Sequence, residues 1–265
     1  MNRSGQRDKR EESPEEFSHD TLFSGELSCR QHREGYRFSL DAVLAAHFLP
    51  PRKQARIIDL GSGSGIIALI MAYRWRNLGV HITGFERQQS LISLAKGNIE
   101  LNGYDEICTI KEGDVRHILQ HLPPESFEQL VSNPPFFPLG SGRPSQNREA
   151  YQARHQVAGG IEDFLYAASK VLANKGHAVF IYPANGLTDF LLAARKNRLE
   201  PKRIQYIYDY PEGESEARLF LIHCQKNGGA GLKTERPFYV YEKKNGAYHE
   251  SMQRLYEPSS QEASF

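Results

Sequence analysis

The sequence predicts an α/β fold in which a mostly parallel sheet is covered on both faces by helices and ends in an antiparallel hairpin. Three observations carry this. Short β-branched or apolar runs alternate with longer helical patterns from about residue 55 onward. A glycine-rich turn joins the first of these runs to the first helix. Near the other end, two strand-like runs follow one another with only a short connection, which suits antiparallel pairing.

The first strand is read over 55–60 and the first helix over 65–76. A strand at 80–86, a helix at 89–101 and a strand at 107–111 follow. A fourth strand at 128–132 runs into Asn133-Pro134-Pro135, where two prolines end regular pairing. The connection 138–160 is rich in Gly, Pro, Ser and Arg, and loops of that length in a compact domain are usually functional or disordered. Then come an amphipathic helix over 161–174, a strand beginning at His177 and a helix over 185–198. Runs 203–210 and 217–225 form the hairpin, and 237–256 is expected to add an edge strand and a short helix. Residues 1–20 and 255–265 read as disordered tails, 21–54 as an N-terminal extension, and 55–254 as the domain.

Composition narrows the function. The chain has 265 residues, with 33 Lys+Arg against 32 Asp+Glu, a net charge of +1 that excludes a uniformly basic nucleic-acid binder. It leaves room for a locally basic face: residues 140–254 hold 17 Lys+Arg against 12 Asp+Glu. No apolar run reaches membrane-spanning length and the first residues are polar, so a cytoplasmic protein is expected. Cys29, Cys108 and Cys224 are widely spaced, which supports neither a disulfide framework nor a thiolate zinc site. His117 and His121 lack a third ligand, so no metal is expected. Tyr206, Tyr208 and Tyr210 alternate on one strand face, as a packed strand or an RNA-stacking surface would.

Asp59-Leu60-Gly61-Ser62-Gly63-Ser64-Gly65 joins strand to helix. Alternating glycines allow left-handed backbone and close approach of a ligand, and the helix N-terminus behind them offers free amides. The spacing is GxGxG and differs from the GxGxxG of nicotinamide and flavin sites. Glu86 ends the second strand, where a carboxylate accepts from ribose hydroxyls or is merely solvated. Asp114 follows the third strand, placed either to accept from an adenine amine or to cap the next helix. In Asn133-Pro134-Pro135-Phe136, the Asn133 oxygen and the Pro134 carbonyl can hold the two hydrogens of a conjugated amine and draw its nitrogen toward sp³ geometry. Phe136 can stack on the ring that carries the amine.

Glycine loop and Asn-Pro-Pro-Phe, on strands one and four, resemble the S-adenosylmethionine-dependent amino-methyltransferases of the seven-stranded Rossmann-like class. The resemblance implies that Gly61, Gly63 and Gly65 lie against methionine and ribose, Glu86 takes the ribose, Asp114 reads the adenine, and Asp59 orients the loop and the methionine ammonium. Gln31 followed by Gly35-Tyr36-Arg37-Phe38-Ser39, Asp41 and Leu44 is similar, more narrowly, to the bacterial tRNA1(Val) (adenine(37)-N6)-methyltransferase family. So are the aromatics Phe136-Phe137 and the run Ala153-Arg154-His155. This resemblance implies a cofactor-site role for 21–54 through Tyr36 and Phe38. It also implies catalytic roles for Asn133, Pro134 and Phe136, a cofactor contact by Asn133 as well, and contact with tRNA or another structured RNA by Phe137, Arg148, Arg154 and His155. The chain departs from the family pattern with Phe136 where Tyr is usual and Gln156 where Glu is usual. Ribosomal-RNA guanine-N2 and protein glutamine-N5 methylation stay open as alternatives.

Overall fold

The computed structural model describes residues 17–32, 40–136, 159–212 and 216–258. The chain first forms an antiparallel hairpin of β1 (Phe17–Leu22) and β2 (Leu27–His32), joined by a 3-10 turn at Phe23–Gly25. Residues 17–20 were expected in a disordered tail and are a paired strand instead. The reason is long-range. Leu27, Cys29 and Gln31 alternate inward along β2, Phe17 packs on His32 at 4.9 Å, and Phe23 stacks on Tyr73 at 4.5 Å.

After α1 (Leu40–Phe48) the sheet is built from β3 (Arg56–Leu60), α2 (Ile66–Trp75), β4 (His81–Glu86), α3 (Gln89–Leu101), β5 (Cys108–Glu112) and β6 (Phe127–Ser132). It continues with α4 (Ile161–Val171), β7 (Leu172–Pro183), α5 (Leu187–Lys196), β8 (Leu199–Tyr208) and β9 (Leu219–Lys226). Two short strands, β10 (Lys233–Thr234) and β11 (Phe238–Tyr239), and a helix α6 (Glu250–Leu255) complete it. The order across the sheet is β10, β8, β9, β7, β6, β3, β4, β5, with β11 also on β8. β3 to β7 are mutually parallel, and β9 lies antiparallel between β7 and β8. The expected α/β class and its antiparallel hairpin are what is found: seven long strands, extended by two strands of two residues each. The hairpin's first strand starts at Leu199 instead of 203, and α4 stops at Val171, where β7 begins.

Burial alternates along the strands because successive side chains face opposite ways. Ile57, Val131 and Val179 join α1, α2 and the N-terminal hairpin in one apolar layer, whereas Ile58, Leu130 and Phe180 join α4 and α5 in the other. Each such fully buried side chain contributes about 1.5–3 kcal/mol. The C-terminal segment is anchored by Val240 and Met252, both fully buried, and Leu255 and Tyr256 pack on the first layer. Leu255 and Tyr256, expected in a disordered tail, are therefore part of the packed domain.

Topology sets where a ligand can bind. From β3 the chain steps outward to β4 and β5, then returns to lay β6 on the opposite side of β3. The reversal opens a crevice over the carboxyl ends of β3 and β6. Asp59, Glu86, Asp114 and Asn133 sit at or just beyond the carboxyl ends of β3, β4, β5 and β6 respectively.

Candidate active site

The glycine loop turns as its sequence requires. Gly61, Gly63 and Gly65 have φ of +71°, +55° and +80°, the left-handed region that side chains rarely adopt. A Cβ at Gly61 would stand 3.0 Å from the Phe164 ring, and one at Gly65 3.0 Å from the Ala95 Cβ. The loop is tied to β4: the Gly61 and Ser62 amides donate to the Phe85 carbonyl at 2.8 and 3.2 Å. The Gly63 amide donates to Glu86 Oε2 at 3.0 Å, while Glu86 Oε1 accepts from the Arg87 and Gln88 amides, both at 2.9 Å. Those three amides occupy three of about four lone-pair directions of the carboxylate. One direction remains for a ligand hydroxyl, and a second hydroxyl must compete with Gly63.

Asp114 does cap the following 3-10 turn, accepting from the Arg116 amide at 3.0 Å. It also holds the Arg116 guanidinium, with Arg87 at 4.0 Å. The hydrogen bonds from Arg116 hold its carboxyl well below the usual range, at about 2. Asp59 is the opposite case. Fully buried below the loop, it lacks a full hydrogen-bond partner at either oxygen. Burial, aided by the neighbouring Glu86 carboxylate and countered in part by the Ala68 amide, pushes it up to about 8.

At the end of β6, the Ser132 hydroxyl donates to the Leu60 carbonyl at 2.7 Å and locks the strand to β3. Asn133 Oδ1 is buried and has no partner among the described residues. Pro134 is buried; Phe136 is half-buried between the two apolar layers, edge-on to Tyr182 at 6.4 Å. Gly61, Gly63, Glu86, Asp114 and Asn133 line one open cleft of about 160 Å³. Gly65 instead caps α2, and Asp59 lies beneath. Tyr36, Phe38, Phe137, Arg148, Arg154 and His155 lie outside the described residues.

Sequence reasoning missed Phe164, Leu91 and Val115, which give the cleft apolar walls. Each reads in sequence as an ordinary core position of a helix or turn. It also missed Asn98 on α3 and Asn102, one turn on, at the C-cap of that helix. Asn98 Oδ1 accepts from the Arg30 amide at 2.7 Å and its Nδ2 donates to the Arg30 and Ser64 carbonyls. Asn102 does the same for Ser28, so two side-chain amides act as a strand edge for β2 and brace the glycine loop. His117 and His121 are exposed, and no group of three or more His, Cys, Asp or Glu converges among the described residues. Tyr206 packs against the core and Tyr208 against Tyr239 at 5.9 Å. Among the described residues no helix is long and apolar enough to cross a membrane.

The residues present fit S-adenosyl-L-methionine. Left-handed glycines leave room along the loop, a strand-end carboxylate has a free lone pair, and the buried Asp59 has oxygens to offer a cationic amine. Comparison with known proteins agrees. Residues 40–185 match the family model described as methyltransferase small domain. The tRNA1(Val) (adenine(37)-N6)-methyltransferase of Shewanella sediminis is 28% identical over 227 residues, covering 83% of this chain and 91% of that protein. The protein of the same name from Vibrio campbellii is 28% identical over 169 residues, 64% of this chain and 68% of its own length. A crystal structure named as a predicted O-methyltransferase from Agrobacterium tumefaciens superposes with a TM-score of 0.67 at 22% identity, over 83% of this chain and 97% of that one. That likeness speaks to the fold. S-adenosyl-L-methionine is the cofactor to which fold and site both point. With more than half its length matched and the glycine loop, strand-end acid and Asn-Pro-Pro-Phe gathered at one crevice, the chain belongs to the methyltransferase small domain family.

Proposed function

We propose that this protein methylates N6 of an adenine in RNA, at adenine 37 of tRNA1(Val) as in the relatives' names. The observation that carries the reading is the buried Asn133 Oδ1, unpartnered among the described residues, on a residue that lines the cleft together with Gly61 and Gly63 of the glycine loop. An unmatched buried acceptor costs about 1–3 kcal/mol, a cost removed when a substrate N–H arrives. With the Pro134 carbonyl, Asn133 supplies two acceptors for the two hydrogens of an exocyclic amine. The Pro-Pro unit fixes their geometry in advance, so the nitrogen lone pair is held toward the methyl donor.

S-adenosyl-L-methionine, when bound, supplies an electrophilic methyl. No strong base is required of the chain: the amine nitrogen becomes acidic only as its new bond to carbon forms, and its proton can then pass to water. Glu86 takes a ribose hydroxyl, Asp114 accepts from the adenine amine of the cofactor beside its bonds to Arg116, and Phe164, Leu91 and Val115 form apolar walls beside it. Phe136 lends the edge of its ring to the flipped base. By the family resemblance, phosphate contact falls to Arg148, Arg154 and His155, base contact to Phe137, and cofactor contact to Tyr36 and Phe38. Acting on tRNA, the protein works in the cytoplasm.

The test is labelled-methyl transfer to total tRNA and ribosomal RNA, followed by nucleoside analysis. N6-methyladenosine in tRNA supports the reading. N2-methylguanosine, or label found only in protein, replaces it with one of the two alternatives.

A further inference from the structure

A second cavity opens at the other edge of the sheet, where β7 and β8 begin, β9 ends, and α4 and α5 stop at Val171 and Lys196. Its volume is about 700 Å³, within the roughly 300–1,000 Å³ of small-molecule sites. The lining is one-sided in charge: Lys170, Lys196, Arg198 and Lys226 face a single carboxylate, Glu125. Helix α4 leads to it from the methyl-transfer cleft. Phe164, near the helix start, stands against Gly61, and Lys170 follows about 9 Å further along the axis.

Structural duties account for little of this charge. Lys226 is built in, with a side chain 11% exposed whose ammonium donates to Glu125 Oε1 at 2.9 Å and to the Leu172 carbonyl at 2.7 Å. That pairing offsets Glu125 and leaves one of three ammonium donors. Lys170 lies over the Tyr166 ring at 4.8 Å. Lys196 and Arg198 are exposed, and neither pairs with a carboxylate among the described residues. Other acids at this edge are engaged elsewhere, Glu128 by Arg56 at 2.6 Å and Glu200 by Arg195 at 3.4 Å.

Cations at a helix end often serve its last carbonyls. Here those carbonyls already accept from amides: Lys170 from Glu125 at 2.9 Å, Ala193 and Ala194 from Asn197 at 3.1 Å, and Arg195 from Arg198 at 3.0 Å. Arg198 itself has φ +57°, directly after the Asn197 cap of α5, a left-handed position that glycine usually fills. A cation thus stands where the backbone favours a residue without a side chain. Uncompensated like charges in a concavity focus a positive potential, and a guanidinium fork beside ammonium groups matches the oxygens of a phosphate.

We propose that this cavity is a phosphate-binding site, in which Arg198, Lys196 and Lys170 hold the oxygens of a phosphate group and Lys226, fixed by Glu125, adds its remaining donor. The group belongs to a small phosphorylated molecule or to the backbone of the RNA substrate. Only the second source rests on the reading of the protein as an RNA methyltransferase.

The test titrates the full chain with inorganic phosphate and pyrophosphate at constant ionic strength, by calorimetry, and with an unmodified tRNA1(Val) transcript over a range of salt. Lys196→Ala with Arg198→Gly is expected to weaken pyrophosphate binding about tenfold or more while cofactor affinity stays unchanged. Glycine suits the left-handed turn, so the melting temperature should equal or exceed the parent's, whereas a purely structural Arg198 predicts a lower one. A salt dependence of tRNA binding flattened by between about one and two units of slope in this variant assigns the RNA backbone. Weakened pyrophosphate binding with an unchanged slope assigns a small molecule. Parent and variant that bind phosphate and pyrophosphate alike, or not at all, with identical salt slopes, overturn the site and leave the proposed function standing. A parent that methylates no RNA removes the proposed function, and the pyrophosphate titration then decides the site alone.

Discussion

Replacing Asp59 by Asn should make the cofactor-free protein more stable at neutral pH, by an amount that grows with pH. The carboxyl group is fully buried, lacks a full hydrogen-bond partner and is pushed up to about 8 from its ordinary 3.8. Between those two values the unfolded chain has released this proton while the folded chain still binds it, so folding stability falls as pH rises. The slope approaches about 1.4 kcal/mol per pH unit, reaching of order 4 kcal/mol by pH 7 and levelling off above about pH 8. Asn has the same shape, remains neutral and removes this slope. Urea unfolding of parent and variant at pH 5, 6, 7 and 8, without cofactor, should show a gap in stability that widens at each step. A gap independent of pH, or a variant less stable than the parent at pH 8, would refute the argument and mean that Asp59 is ionised and satisfied in the folded chain.

Asn133→Ala should lower kcat by at least about 100-fold while leaving cofactor affinity within about twofold, because its oxygen serves the target amine; calorimetry and a transfer assay separate the two effects. Glu86→Ala should weaken cofactor binding by about 1.5–3 kcal/mol, and it should also lower the melting temperature, since the Gly63, Arg87 and Gln88 amides lose their acceptor. Gly61→Ala places a side chain at φ +71° against Phe164 and should destabilise by about 1–3 kcal/mol, measured by chemical unfolding. Asn98→Ala strips the Arg30 amide of its acceptor and should cost about 1–3 kcal/mol, with faster hydrogen exchange in β2 than in β6 as the local signature.

What the sequence made legible was local. Glycines at 61, 63 and 65 announce left-handed backbone because few other residues tolerate it, and all three adopt it. Two prolines after β6 announce its end, and Asn133 stands where that reading puts it. The unread parts depend on partners distant in the chain. β1 carries Ser, His, Asp and Thr and looks like a polar tail, yet it pairs with a β2 whose edge is held by two asparagines about 70 residues away. Phe164 has the helical periodicity of any core residue, and only the fold turns it toward Gly61. Asp114 was legible as two alternatives, and Arg116 two residues on decides that the cap is made, without telling whether the remaining acceptor capacity serves a ligand.

The acids around the crevice are tuned in opposite directions, which bears on how the site receives a cationic cofactor. Asp114 is held near 2 by Arg116 and is already matched in charge before anything binds. Asp59, at about 8, is mostly neutral at pH 7 and becomes ionised when a positive group comes close enough to replace its proton. Before cofactor binds, the site therefore does not have to hold an isolated buried carboxylate, and on the proposed reading the charge appears with the ligand that compensates it. The coupling has a sign. Binding that expels a proton grows tighter as pH rises, by up to tenfold per unit, until the carboxyl is ionised without help. Cofactor affinity should thus climb between pH 6 and about 8 and then flatten, and in Asp59→Asn the climb should vanish together with part of the affinity. A parent whose affinity is flat over that range would place the ammonium away from Asp59, leaving this buried acid to the loop alone.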